Sequence, residues 1–151
     1  LYALGQNCGW TDPAFSWMKE RRSAVLLMKD VMSFSRRRGK DIDRLKGLSH
    51  ELADQEVLHS ALGQALLEEG RLEESLIALN KALASPLCVG GERGNVLYNL
   101  ACYFARVGDA DGCRERLVEM QDYRPLDVEH MKTDTDLDPV RQCSWFAELV
   151  G

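Results

Sequence analysis

The chain repeats itself. Leu58–Gly70 (LHSALGQALLEEG) and Val96–Gly108 (VLYNLACYFARVG) align at an offset of 38 residues, and a second amphipathic stretch follows each. Leu62, Gly63, Leu66 and Gly70 of the first segment correspond to Leu100, Ala101, Phe104 and Gly108 of the second. A unit of this length with apolar residues at spacings of three and four predicts a pair of helices that buries its apolar stripe against a neighbour. Period-2 alternation never persists, so no strand is expected. The fold class that follows is all-α, with about eight helices.

The residues before the repeats read as a further helical hairpin over 12–54. Asp12-Pro13 is a good opening, an Asp cap followed by proline where its missing N–H costs nothing. The helix can run to about Ser35 and stops at Arg36-Arg37-Arg38-Gly39, a cationic turn suited to the negative end of a helix dipole. Asp41 then opens a helix with Ile42, Leu45, Leu48 and Leu52 on one face. Residues 17–48 carry ten Lys/Arg against four acids, a net of +6, within a chain of net charge −5. A basic end and an acidic remainder invite electrostatically steered contacts.

Small and large residues recur at fixed places in the repeats. Counted from Glu56, position 8 is Gly63, 11 is Leu66, 20 is Ser75, 24 is Leu79 and 27 is Ala82. Counted from Gly94, the matching residues are Ala101, Phe104, Cys113 and Leu117, with Pro125 at the end. This pattern resembles the tetratricopeptide repeat (TPR) family over residues 56–89 and 94–127. The excess over the family's period of about 34 residues is assigned to the Cys88–Gly94 connection, at Gly90-Gly91. His59 and Leu97 replace the usual tryptophan, Met120 stands where alanine is usual, and Leu87 where proline is usual. The resemblance implies one right-handed solenoid domain with an N-terminal hairpin, two repeats and a C-terminal cap over 128–151. That tail, with Thr133-Asp-Thr-Asp-Leu-Asp-Pro139 before a final Phe146-x-x-Leu149 helix, resembles the closing segment of many bacterial and plastid TPR proteins. Asp138-Pro139 is read as the cap and first turn of a helix running Val140 to Val150.

Catalytic and metal chemistry find little support. Asp134, Asp136 and Asp138 have the spacing that opens a calcium loop, but its glycine and glutamate places hold Pro139 and Trp145. A capping turn is the better reading, and no cofactor or metal is expected. His50, His59 and His130 fall in three different helices. Five cysteines (Cys8, Cys88, Cys102, Cys113, Cys143) without CxxC spacing read as free thiols in a reducing compartment. A Cys–His pair meeting in space is the distant enzymatic alternative. The run Arg36-Arg37-Arg38-Gly39-Lys40 offers phosphate contacts, which makes an RNA-associated factor the second reading. The run has no interleaved aromatics for base stacking and reads first as a solvated helix end, with an acidic partner or anionic lipid surface next.

What the family resemblance implies is protein binding. Its inner helices would present Ser60, Gln64, Leu67 and Glu68 from the first repeat. The second would present Asn95, Tyr98, Cys102, Ala105 and Arg106, with Asn99 beside them. Ser60 and Gln64 stand where the chaperone-tail clamp has lysine and asparagine, so that specialisation is rejected. The expectation is a non-catalytic adaptor, scaffold or docked subunit of a larger complex, with organellar, photosynthetic assembly as a specialisation drawn from the tail. No apolar run approaches the roughly 18 residues of a membrane span. The chain begins at Leu1 rather than methionine, so it reads as a processed or partial product whose compartment is unknown, cytosol or organelle interior.

Overall fold

The computed structural model describes residues 42–43, 45–47 and 56–151, and every regular element among them is helical. Helices α1 (Glu56–Glu68) and α2 (Leu72–Ala84) form one hairpin, and α3 (Gly90–Val107) and α4 (Ala110–Met120) a second. A short helix α5 (Val128–Thr133), a 3₁₀ helix (Thr135–Val140) and a final helix α6 (Ser144–Val150) follow. No helix among the described residues is long and apolar enough to cross a membrane. The helix expected over 12–35 and the run 36–40 lie outside the described residues.

Both hairpins turn in the same way. Gly70 and Gly108 have φ of +75° and +84°, the left-handed region that glycine enters without steric cost. At the first turn, Arg71 N–H donates to Leu66 O at 2.9 Å and Gly70 N–H to Leu67 O at 3.0 Å. At the second, Asp109 N–H donates to Phe104 O at 2.9 Å and Gly108 N–H to Ala105 O at 3.1 Å. Each is a Schellman ending, which satisfies the last carbonyls of one helix and redirects the chain into the next. Asp109 also accepts the Gly112 N–H at 2.9 Å, an N-cap that Arg71 cannot supply by side chain in the first hairpin.

Small residues set the helix spacing. A methyl placed on Gly63 would lie 2.6 Å from the Cγ and Cδ2 of Leu79, closer than packed carbons approach. Ser75 Oγ donates to the Gly63 carbonyl across the same contact at 2.7 Å. Ala101 and Cys113 occupy the corresponding places in the second hairpin, both without solvent exposure. The helical residues Ile42 and Leu45 pack with Leu58, Leu62, Leu66 and Ala78, so the chain before the first hairpin shares its core. Leu79, Ala82, Cys88, Val96 and Leu100 join the two hairpins. Leu97, Ala101, Leu117, Met120, Met131, Leu137, Val140 and Phe146 tie the second hairpin to the tail.

Two boundaries differ from expectation. Helix α3 begins at Gly90, four residues before the expected Gly94, and four residues make about one helical turn. The excess between repeats is thus wound onto the start of α3 and is not a loop. Asp138-Pro139 does not open the last helix, for Pro139 lies inside the 3₁₀ helix and α6 begins at Ser144. The cap has moved upstream, where Asp134 Oδ1 accepts the Asp136 N–H at 3.0 Å.

The shared turn gives a direct test. No atom lies within 4 Å of a methyl added at Gly108, so its replacement by alanine meets only a backbone penalty. Gly108→Ala should destabilise the fold by about 1–2 kcal/mol, and Gly108→Asn by less, since asparagine tolerates the left-handed region. Urea denaturation monitored by circular dichroism measures both. Equal stability of all three proteins would contradict the left-handed turn.

Candidate functional site

The residues read as an inner binding face fall on two stripes. Ser60, Gln64, Leu67 and Glu68 lie on α1, and Asn95, Tyr98, Asn99, Cys102 and Arg106 on α3. The structure adds a third component, because the 3₁₀ helix packs against α3. Tyr98 and Cys102 are consequently buried, at 8% and 2% exposure. Ser60 is buried too, at 7%. Gln64 and Asn99 are half-buried, while Glu68 and Asn95 remain exposed.

Asp134 organises the contact between α3 and the tail. Tyr98 Oη donates to its Oδ2 at 2.6 Å, and the Cys102 thiol lies 3.9 Å from the same oxygen. His130 Nε2 approaches that oxygen at 3.4 Å, with its ring 5.6 Å from the Tyr98 ring. Arg124 stands over the other ring contact, 5.8 Å from the Tyr98 centroid, and donates to Asn95 Oδ1. One turn beyond Cys102 on α3, Arg106 donates to the Leu67 carbonyl and pairs with Asp136 Oδ1 at 3.5 Å. Arg106 thereby ties the end of α1 to the tail.

These surroundings disfavour the ionised forms of Tyr98, Cys102, Cys113 and Asp136. Burial, reinforced by the bond to Asp134, pushes the Tyr98 hydroxyl well above its ordinary pKa. Burial likewise drives the Cys102 thiol far upward, with the charge of Asp134 adding to it. Cys113 is pushed up to about 12, again chiefly by burial. A nucleophilic cysteine needs the reverse, a depressed pKa and access to solvent. Asp136 is raised by burial, and Arg106 only partly opposes this.

The three aspartates of the tail serve separate partners. Asp134 caps the 3₁₀ helix, Asp136 faces Arg106, and Asp138 Oδ1 accepts from Arg141 Nη2 at 2.7 Å. Among the described residues no group of three or more His, Cys, Asp or Glu is arranged to hold a metal ion. A cleft of about 280 Å³ lies elsewhere, lined by Lys46, His59, Leu62, Leu66, Glu74, Ile77, Ala78 and Lys81, with Lys46 Nζ bonded to Glu74 Oε2 at 2.5 Å. It holds no cysteine among the described residues. The basic run Arg36, Arg37, Arg38 and Lys40 lies outside them.

Sequence reasoning missed the partners that the tail supplies. Asp134, His130 and Arg124 carry contacts to Tyr98 on α3, and Arg141 holds the turn that bears Asp134. A lone arginine, Arg141, directly after an acid-rich turn was the one available signal. No protein-family model, no curated protein and no solved structure matches the chain.

Two outcomes follow. Tyr98→Phe removes a bond to a charged acceptor and should cost about 1.5–3 kcal/mol of stability, with a much smaller effect in an Asp134→Asn background. A double-mutant cycle in urea measures the coupling. In the native protein, iodoacetamide at pH 8 should modify the partly exposed Cys143 before Cys88, Cys102 or Cys113, which are buried. Peptide mapping reads the order, and a buried thiol reacting first would revive the enzymatic alternative.

Proposed function

We propose that the chain is a TPR-type helical-repeat module that binds a protein partner and does no catalysis, as an adaptor, scaffold or docked subunit of a larger complex. The observation that carries this reading is the recurrence of one hairpin design at a 38-residue offset. The Schellman turns at Gly70 and Gly108 match bond for bond, and small residues sit at both helix crossings. Stacked hairpins of this kind serve as binding surfaces because their inner helices present parallel stripes of side chains.

The partner face is narrower than the full set of inner positions. Tyr98, Cys102 and Ser60 are engaged in packing, which leaves Gln64, Glu68, Asn95 and Asn99 with the half-exposed Arg106 as the recognition set. A mixed polar face of amides and charges suits a helix or an extended peptide, with side-chain amides bonding backbone groups of the partner. Assembly or stabilisation of an organellar complex is the specialisation we favour, on the resemblance of the tail alone.

The test is a pull-down from the native source with mass spectrometry, comparing wild type with a Gln64→Arg/Asn99→Arg variant. Tyr98 is avoided because its loss would disturb the fold. A defined set of proteins should be recovered with wild type and reduced roughly tenfold or more with the variant, as expected for contacts near the centre of an interface. Circular dichroism confirms that the variant is folded. Unchanged recovery would move the contact off this face, and RNA in place of protein would favour the basic run.

A further inference from the structure

The junction between α2 and α3 holds a guanidinium that its neighbours leave under-satisfied. Arg93, on the first turn of α3, donates from Nη1 to the Leu83 carbonyl at 3.1 Å. Its Nη2 lies 3.9 Å from Glu119 Oε1, and the group stands 5.3 Å from the centre of the Tyr123 ring. Its Nε–H is buried with no acceptor. A guanidinium has five donors in a rigid fork, and here one carbonyl and one long ion pair engage its outer nitrogens, which an anion would bond more strongly.

Two residues beyond Leu83, whose carbonyl Arg93 bonds, stands Ser85. It ends α2 with φ −68° and ψ 132°, an extended conformation that the following Pro86 enforces. Pro86 and Leu87 are exposed, and the serine is half-exposed. Ser85 Oγ accepts the Leu87 N–H at 3.2 Å, and its carbonyl accepts from Cys88 N–H at 3.0 Å, which closes a turn at the end of α2. Ser85-Pro86 is the one Ser-Pro step in the sequence.

We propose that Ser85 is a phosphorylation site for a proline-directed protein kinase, and that Arg93 receives the phosphate. In the transfer, Ser85 Oγ attacks the γ-phosphorus of ATP. The new O–P bond forms as the bond to ADP breaks, and the hydroxyl proton passes to the base of the kinase. A phosphoserine carries a charge of about −1.5 to −2. At the carbonyl end of a helix such a charge is repelled unless a cation meets it. Arg93 supplies that cation, with Lys81 one turn back on α2, exposed and on the same side as Ser85. The phosphate draws Arg93 away from Leu83 and Glu119, so the modification rewires the link between α2, α3 and α4.

The experiment uses the full chain, ATP and a purified proline-directed Ser/Thr kinase, with a synthetic peptide of residues 80–91 as reference. The folded chain should gain one phosphate at Ser85, mapped by mass spectrometry, at a rate comparable to the peptide, and Ser85→Ala should gain none there. Modification of the peptide but not of the folded chain would overturn the site, as would failure of both. A phosphorus NMR titration of the phosphorylated chain then tests the acceptor. The second phosphate pKa should lie below its ordinary value of about 6 and return toward it in Arg93→Gln. An identical titration in the two proteins would overturn the role of Arg93.

Discussion

The absence of a side chain at Gly63 is what allows α1 and α2 to lie as close as they do. Leu79 occupies the space where a Cβ would be, and Ser75 Oγ bonds the Gly63 carbonyl that the approach exposes. Leu79 is itself fully buried and belongs to the group that joins the two hairpins through Ala82, Val96 and Leu100. Burying one leucine side chain contributes about 1.5–3 kcal/mol, but this leucine also fixes where α3 must sit. A substituent at Gly63 would therefore be felt beyond the first hairpin. The second hairpin solves the same problem with Ala101 and Cys113, a methyl against a thiol, and its α4 needs no crossing hydrogen bond of the Ser75 type.

The tail then completes what two hairpins leave open. The second hairpin presents an apolar face that would otherwise meet water, and the tail covers it. Met131, Leu137, Val140 and Phe146 do so here, each nearly without exposure. Their backbone cannot follow a regular α-helix through Pro139, and its carbonyls need other donors. Arg141 provides them, bonding the carbonyls of Lys132 and Asp134 as well as the Asp138 carboxylate, and it lies 6.0 Å from the Phe146 ring. The cost falls on Asp136, whose partial burial disfavours its charge with one guanidinium to offset it.

Local features were legible in the sequence where a single residue type answers a single local demand. Gly63 and Ser75 fill the small-residue places of the repeat where helices cross, and Gly70 and Gly108 recur at one place in both segments. Asp134 stands where a turn needs a cap. Misreadings arose where one signal has two local solutions. Gly90-Gly91 suggests a loop, yet four extra residues also fit one turn of helix, and the extra turn leaves Val96, Leu97 and Leu100 facing the core. Asp138-Pro139 suggests a helix start, yet proline is equally accommodated near the end of a short 3₁₀ helix already capped by Asp134. The burial of Tyr98 was out of reach altogether. It depends on a contact with Asp134, 36 residues away, and helical periodicity says which side of a helix a residue is on but not what will cover that side.

That contact also explains why the proposed recognition face and the folding core compete for the same helix. Inner positions of α3 recur at spacings of three and four, so Tyr98 and Cys102 share a stripe with Asn95, Asn99 and Arg106. In a long array the tail covers only the last of many inner helices, and most of the stripes stay open. With two hairpins among the described residues, the tail covers half of them. The residues that remain accessible flank the covered centre, and among them Arg106 pairs with Asp136 of the turn. Selectivity on such a face comes from the placement of amides and charges held by rigid helices more than from apolar area. The anchoring of Arg106 to Leu67 and Asp136 gives that rigidity, since it joins α1, α3 and the tail at the edge where a partner would lie.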